Sequence, residues 1–170
     1  MNPLLVNAAE LLRRPGSQKS VELQASLEEL GISDPERFAP DAMVTVQLHL
    51  EALTDGIVVD GELRVPWHGV CRRCLVDTAG TQVSDVHELY QTVVTDPEAF
   101  EIVGGQLDLR AVVRELVLLD APSTPLCRPE CAGLCLTCGA NRNDGPCGCA
   151  ATPVDPRWSA LDSLTGLDPT

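Results

Sequence analysis

The stretch CAGLCLTCGANRNDGPCGC, residues 131–149, contains five of the eight cysteines in this 170-residue chain. Glycine, asparagine and proline make up much of the remainder, so the stretch has neither the periodicity of a helix nor that of a strand. A segment of this composition does not bury enough apolar surface to form a core of its own. The sequence therefore predicts a cysteine-rich lobe that is held together by its thiols.

The chemistry of these thiols depends on the compartment. No apolar run approaches the roughly 20 residues that span a bilayer. The first residues, MNPLLVNAAELLRRPG, lack the basic, apolar and cleavage regions of a signal peptide. We therefore expect a cytoplasmic protein that does not enter a membrane. Because disulfides are rare in a reducing compartment, clustered thiols indicate metal binding or redox chemistry rather than a secreted disulfide scaffold.

Two Cys-x2-Cys pairs, Cys71/Cys74 and Cys135/Cys138, are typical of metal-binding turns. Zinc takes four thiolates in a tetrahedron at about 2.3 Å, and a tight turn of this spacing supplies two of them. Eight cysteines match two such zinc sites. The candidate metal ligands are therefore all eight: Cys71, Cys74, Cys127, Cys131, Cys135, Cys138, Cys147 and Cys149.

The assignment of thiols to ions has two solutions. In the local solution, the pattern C-x2-C-x8-C-x-C over residues 135–149 closes around one ion, and Cys71 and Cys74 join Cys127 and Cys131 across more than fifty residues. In the other solution, the two Cys-x2-Cys pairs share an ion. We favour the local solution and keep the other open.

Other chemistries compete with structural zinc. An iron–sulfur cluster also uses thiolate ligands. A thioredoxin-like pair opens a helix, but no helix is predicted after Cys74. His68, three residues before Cys71, is a further candidate ligand. The sequence contains no phosphate-binding loop, nucleophile elbow or His-Glu-x-x-His motif, and a closed four-thiolate site has no open position. We therefore expect neither an enzyme nor a small-molecule substrate.

Alternating hydrophobicity predicts strands in the first part of the chain. MVTVQLHLEAL places its valines and leucines on one face, and Thr54-Asp55-Gly56 is a hairpin signal before the partner strand IVVDGELRVPWHGV. LVDTAGTQVSDVHELYQTVV is predicted to return as further strand with a turn near Ala79-Gly80. An antiparallel meander is expected over residues 42–95. Before it, VNAAELLRR predicts a short helix with Asn7 as its N-cap.

The period then changes to that of a helix. LDLRAVVRELVLLDAP carries one apolar stripe, so we predict a helix from Asp108, its N-cap, to about Asp120, before Pro122. The fold class is α+β: an antiparallel meander, a packed helix and a cysteine-rich metal-binding lobe. We divide one structural unit into a body (1–120), the lobe (121–150) and a C-terminal tail with a short helix (151–170).

Charge limits the partners. The formal net charge is −13, and two four-thiolate zinc sites lower it to about −17, because eight lost thiol protons outweigh two divalent ions. Such a surface repels phosphate backbones, so contact with RNA must be local. The candidate patch comprises the arginines near the ligands, which are Arg72, Arg73, Arg128 and Arg142. The turn should direct Arg72 and Arg73 outward. A basic protein partner, such as a ribosomal protein, suits the acidic surface more naturally.

Four stretches occur in a distinctive order: CRRCL at 71–75, DLRAVVRELVLLDAP at 108–122, CAGLCLTCGANRN at 131–143 and DPRWSAL at 155–161. They resemble the YceD family, also called large ribosomal RNA subunit accumulation proteins, in an actinobacterial-like form with a cysteine-rich C-terminal segment. Arg142 replaces the leucine that is usual in the family's G-x-x-L-N, a departure that involves no predicted ligand. The resemblance implies a role in the accumulation of the large-subunit (23S) ribosomal RNA precursor.

Two functions are therefore hypotheses. One is a noncatalytic ribosome-biogenesis factor, stabilised by structural zinc, that binds precursor rRNA or a basic ribosomal or assembly protein. The other is a cytosolic thiol redox or metal-responsive protein. Tightly held zinc with masked thiols favours the first, and reactive thiols of low pKa favour the second.

Overall fold

The strands follow the alternating pattern of the sequence. The computed structural model describes residues 2–149 and residue 157. Its elements are, in chain order, β1 (Leu5–Asn7), a 3₁₀ turn (Leu11–Arg13), β2 (Gln18–Ser26), β3 (Met43–Ala52), β4 (Gly56–Val70), β5 (Asp77–Gln91), β6 (Phe100–Glu101), β7 (Gln106–Asp108) and α1 (Arg110–Asp120).

The main sheet has the order β2-β3-β4-β5-β6. Its first four strands form an antiparallel meander, and β6 adds to β5 in parallel, with Tyr90 opposite Phe100. β1 pairs with β7 in a separate antiparallel sheet. The architecture is thus a mostly antiparallel, mixed sheet with one α-helix. The predicted meander is confirmed for β3, β4 and β5, and it extends back to include β2.

One face of the sheet supplies most of the core. In β3 the predicted inward residues are all buried, namely Val44, Val46, Leu48 and Leu50. Helix α1 contributes Val112, Val113 and Val117 to the same hydrophobic cluster. The Gln82 side chain on β5 also donates from Nε2 to the Leu116 carbonyl at 3.0 Å. Burial of apolar side chains at about 25 cal/mol per Å² is the main stabilisation of this part.

Helix α1 begins slightly later than predicted. Leu109 occupies the N-cap position, and Asp108 accepts the Arg110 N–H on Oδ1 at 3.0 Å from one residue earlier. The helix ends at Asp120, ahead of Pro122, as expected. Arg114 donates from Nη1 to the carbonyls of Leu30 and Gly31, which ties the helix to the turn after β2.

Two local predictions are wrong. The helix predicted over VNAAELLRR is reduced to the 3₁₀ turn, because Leu5–Asn7 pairs with β7 instead. The turn near Ala79-Gly80 does not exist, since β5 runs unbroken through it. Gly80 serves the strand: a Cβ there would lie 2.8 Å from Cζ2 of Trp67, whose ring covers this position. Glycine thus marks a close approach rather than a turn.

The division into body, lobe and tail stays a prediction. The predicted tail helix, around residues 156–164, lies outside the described residues except for Arg157. Over residues 2–149, as at residue 157, no helix has the length and apolar character that a membrane crossing requires.

Candidate metal centres

The structure gathers the eight cysteines into two groups of four. The first tetrad is Cys71, Cys74, Cys127 and Cys131, and the second tetrad is Cys135, Cys138, Cys147 and Cys149. Within each tetrad the four Sγ atoms all lie within 4.8 Å of one another. The thiols are therefore grouped as in the local solution, and the two Cys-x2-Cys pairs do not share a site. Metal binding by these residues remains a prediction.

The sulfur–sulfur distances suit a single ion at the centre of each group. In the first tetrad, the Sγ atoms of Cys71 and Cys131 are 3.8 Å apart, and those of Cys74 and Cys127 are 3.6 Å apart. A tetrahedron with zinc–sulfur bonds of about 2.3 Å has edges of about 3.8 Å. A disulfide bond would instead be about 2.05 Å long, and all eight cysteines are free. The donor set and its spacing thus fit a tetrahedral, thiolate-preferring ion such as Zn²⁺.

Each tetrad receives two cysteines from one turn, and the two turns have the same backbone hydrogen bonds. In the first knuckle (71–76), Leu75 N–H donates to the Cys71 carbonyl and Cys71 N–H donates to Val76. In the second knuckle (135–140), Gly139 donates to Cys135, which donates to Ala140. The residue after the second cysteine is left-handed in both, with φ of 60° at Leu75 and 72° at Gly139. The second knuckle thus uses the residue that favours this conformation, and the first does not.

The first tetrad joins the connection between β4 and β5 to the segment after α1. Hydrogen bonds also join the two segments at this junction. Arg73 donates from Nη1 to the carbonyls of Pro129 and Cys131, each at 3.1 Å, and its own carbonyl accepts from Leu134 N–H. Arg72 N–H donates to the Pro125 carbonyl. The junction is therefore stabilised by main-chain carbonyls as well as by the four sulfurs.

Asn143 joins the loop between Cys138 and Cys147 to the first tetrad. Its Oδ1 accepts from Arg128 Nη2 at 2.7 Å and from Ala132 N–H at 2.9 Å. Its Nδ2 donates to Cys131 Sγ at 3.4 Å and to Asn141 Oδ1 at 2.7 Å. Both polar atoms of this amide are thus used. Our sequence reasoning missed this role, although asparagines in a glycine-rich loop are a signal for side-chain hydrogen bonds to nearby backbone.

The thiols do not ionise alike in the absence of a cation. Backbone N–H groups, above all that of Cys138, lower the pKa of Cys135 to about 6, whereas the Cys138 side chain, followed by burial, raises the pKa of Cys149 to about 12. In the first tetrad, burial opposes the ionisation of Cys71, but N–H donors lower its pKa to about 6. Burial and then its sulfur neighbours raise the pKa of Cys127 to about 12. A bound divalent ion would remove the repulsion among four thiolates.

The four arginines of the candidate patch differ in role. Arg73 is exposed, but its Nη1 donates to the carbonyls of Pro129 and Cys131, so part of its guanidinium is bonded within the protein. Arg128 is exposed but is bonded to Asn143. Arg72 and Arg142 are exposed, and within the described residues their side chains make no hydrogen bond or ion pair. Among these four arginines, Arg72 and Arg142 keep the whole guanidinium available for a partner within the described residues, whereas Arg73 and Arg128 keep part of it.

The histidines lie outside both tetrads. His68 Nε2 lies 3.1 Å from the Pro35 carbonyl oxygen, so this ring nitrogen contacts the main chain and does not join either tetrad. His49 and His87 lie on the exposed face of the sheet, next to Ser20 and Asp60. The alternative in which His68 joins a metal site is not supported by this arrangement.

Comparisons with known proteins point to one family. A family model described as large ribosomal RNA subunit accumulation protein YceD matches residues 59–165. An uncharacterized protein of Mycobacterium tuberculosis is 32% identical over 174 residues, which cover 97% of this chain and 83% of the relative. An uncharacterized protein of Mycobacterium leprae is 27% identical, with 99% and 80% covered. No solved structure matches.

A plant relative is similar over a shorter stretch. The chloroplastic large ribosomal RNA subunit accumulation protein YCED homolog 1 of Arabidopsis thaliana is 36% identical over 59 residues. These residues cover 35% of this chain and 18% of the plant protein.

The two knuckles allow a paired test of backbone strain. Leu75 is 64% exposed, so its side chain adds little packing, while its left-handed backbone disfavours any residue with a Cβ. Leu75→Gly should therefore raise the free energy of unfolding by about 0.5–1 kcal/mol. A Cβ at Gly139 would meet no atom of the described residues within 4 Å, so Gly139→Leu should lower the free energy of unfolding by about 1–2 kcal/mol through backbone strain. Denaturation of the metal-loaded variants measures both, and a destabilised Leu75→Gly protein would contradict the account.

Asn143 should tune the first tetrad. In Asn143→Asp the carboxylate can still accept from Arg128 and Ala132, but it cannot donate to Cys131 Sγ and it adds negative charge beside thiolates. Loss of such a partner typically weakens a metal site about 10–100-fold, and we expect a loss of zinc affinity in this range by competition with a chelator of known affinity. The control is Arg142→Ala, which keeps its backbone bond to the Gly133 carbonyl. Equal affinities of the two variants would refute the role of Asn143.

Proposed function

We propose that this chain, which belongs to the family of the large ribosomal RNA subunit accumulation protein YceD, is a noncatalytic α+β ribosome-biogenesis factor stabilised by structural zinc. It promotes the accumulation or processing of large-subunit (23S) ribosomal RNA. The observation that carries the proposal is the family match over residues 59–165. That match includes every cysteine of both tetrads, so the candidate metal centres lie within the family region.

The proposed cofactor is two zinc ions, one in each tetrad. Sulfur–sulfur distances of 3.6 and 3.8 Å in the first tetrad support a single central ion. An iron–sulfur cluster, with several irons and bridging sulfides between its ligands, separates the thiolates more widely and is the weaker proposal. The metal supplies folding free energy, on the order of 10 kcal/mol at small zinc sites. Chelation should therefore loosen the lobe.

A noncatalytic role suits four-thiolate shells. Such a shell leaves no coordination position for a water or a substrate. The three histidines lie outside both tetrads, so they supply no acid or base beside the proposed ions. We accordingly propose no small-molecule substrate, no membrane association and a cytoplasmic location, where clustered thiols stay reduced.

The partner is either precursor rRNA or a basic ribosomal or assembly protein. The net charge of −13 favours a basic partner for most of the surface. Contact with RNA phosphate would be confined to the exposed arginines near the tetrads, of which Arg72 and Arg142 keep the whole guanidinium available. Arginine binds phosphate with a two-pronged guanidinium, so two such residues can position an RNA segment locally.

Depletion with complementation tests the function. Cells depleted of the chain should contain less 23S than small-subunit rRNA and should accumulate large-subunit precursors, and the wild-type chain should restore the ratio. Unchanged rRNA ratios and precursor profiles after depletion would contradict the proposal.

Complementation with Arg72→Glu/Arg142→Glu tests the partner in the same cells. Loss of cosedimentation with large-subunit precursors, with zinc content unchanged, would favour local RNA contact. The matched control is Arg13→Glu/Arg14→Glu, which changes the charge equally at two exposed arginines outside the lobe. Equal cosedimentation of the two variants would favour a basic protein on the acidic surface.

A further inference from the structure

The two tetrads differ in how the chain encloses them. On the premise of the proposed zinc sites, we propose that the first tetrad is a structural site that keeps its ion. The second tetrad is an exchangeable metal site, and its occupancy orders the residues around it. The chain thereby contains a metal-responsive element at the edge of its lobe. Burial, connectivity and surrounding contacts each support this assignment.

Burial separates the tetrads most clearly. Cys71, Cys74 and Cys131 are 0%, 4% and 5% exposed, and Leu126 and Leu134 pack against them. No cysteine of the second tetrad is buried: Cys138 is exposed and the other three are half-buried. A chelator or a competing protein must reach the ion to remove it, and the apolar surroundings of a site control that access. Cys127 is the one exposed ligand of the first tetrad, and three buried ligands remain behind it.

The first tetrad joins two distant segments of the chain, so separating its cysteines requires a large free energy. Its ligands come from two segments that lie 53 residues apart between Cys74 and Cys127. Separating them breaks the Arg73 bonds to Pro129 and Cys131 and the bond from Leu134 N–H to the Arg73 carbonyl. Gly133 fits closely here, since a Cβ would lie 3.1 Å from the Arg73 carbonyl oxygen. The ion is released only when this whole junction opens.

The second tetrad closes a local loop in open surroundings. Its four ligands lie within residues 135–149, and a Cβ at Gly139, Gly145 or Gly148 would meet no atom of residues 2–149 within 4 Å. Few packed contacts therefore oppose local opening, which is the condition for low local stability. Leu136, in the second knuckle, is 92% exposed, so this turn is not anchored by apolar burial.

Contacts between the tetrads make the structure around the second tetrad depend on the first tetrad, whereas the first tetrad does not depend on the second. Asn143 donates to Cys131 Sγ and to Asn141, which holds the middle of the loop between Cys138 and Cys147 against the first tetrad. Leu134 also pairs with Asn141 in an isolated antiparallel β-bridge. Loss of the second ion would free residues 135–140 and 144–149, while these bonds keep residues 141–143 on the first tetrad. Loss of the first ion would remove the support of both.

Alkylation during chelation tests the proposal on the full-length zinc-loaded chain. EDTA is added, samples are pulsed with N-ethylmaleimide, and intact mass and peptide mapping identify the bound zinc and the labelled cysteines. We expect a chain with one zinc and four labels on Cys135, Cys138, Cys147 and Cys149 to accumulate. The ion of the first tetrad should leave about tenfold more slowly or slower still, within the range by which outer contacts tune metal sites.

Every other pattern would overturn the proposal. Release of both ions in one phase, or first labelling of the first tetrad, contradicts the assignment, whatever the rRNA phenotype. Failure to bind any zinc contradicts this proposal together with the zinc part of the proposed function. Cys138→Ser provides the second test: it should keep one slowly released zinc and hydrogen-exchange protection at residues 71–76. Loss of both from Cys138→Ser would show that the first tetrad depends on the second.

Discussion

The meeting of four thiols from two distant segments is the contact on which the lobe depends. Between residues 122 and 149, Cys131 is the only hydrophobic side chain that is buried. Apolar burial therefore contributes little to the position of this segment, in contrast to the sheet and α1. The first tetrad brings the segment to the end of β4, and the Arg73 and Asn143 bonds then fix the paths of the chain on either side of it.

The same contact limits the surface that a partner can meet. Because Arg73 and Arg128 each use part of the guanidinium in hydrogen bonds within the protein, only Arg72 and Arg142 of the arginine patch keep all of it for a partner, against a net charge of −13 for the chain. Arg72 lies between Cys71 and Cys74 on a short hydrogen-bonded turn, so its backbone is preorganised and little backbone freedom is lost on binding. A role in large-subunit rRNA accumulation is thus compatible with local contact to RNA or with a basic protein on the acidic surface.

Patterns of residue type predicted the parts that depend on repetition. The alternation in β3 placed Val44 and Leu50 in the core, and the number and spacing of cysteines anticipated the two tetrads. Patterns failed where one contact between distant residues decides the outcome. Leu5–Asn7 forms a strand only because it pairs with β7. Position 80 is a glycine because the Trp67 ring lies too close for a Cβ, and not because the chain turns there. The bonds of Arg73 and Asn143 likewise depend on a junction that sequence spacing does not describe.

X-ray absorption at the zinc edge of the purified, zinc-loaded chain, together with a zinc count, tests the central claim most directly. The account predicts two zinc ions per chain, each with four sulfur neighbours at about 2.3 Å and no nitrogen or oxygen ligand. One ion per chain, a mixed nitrogen or oxygen shell, or cysteines paired as disulfides would contradict it.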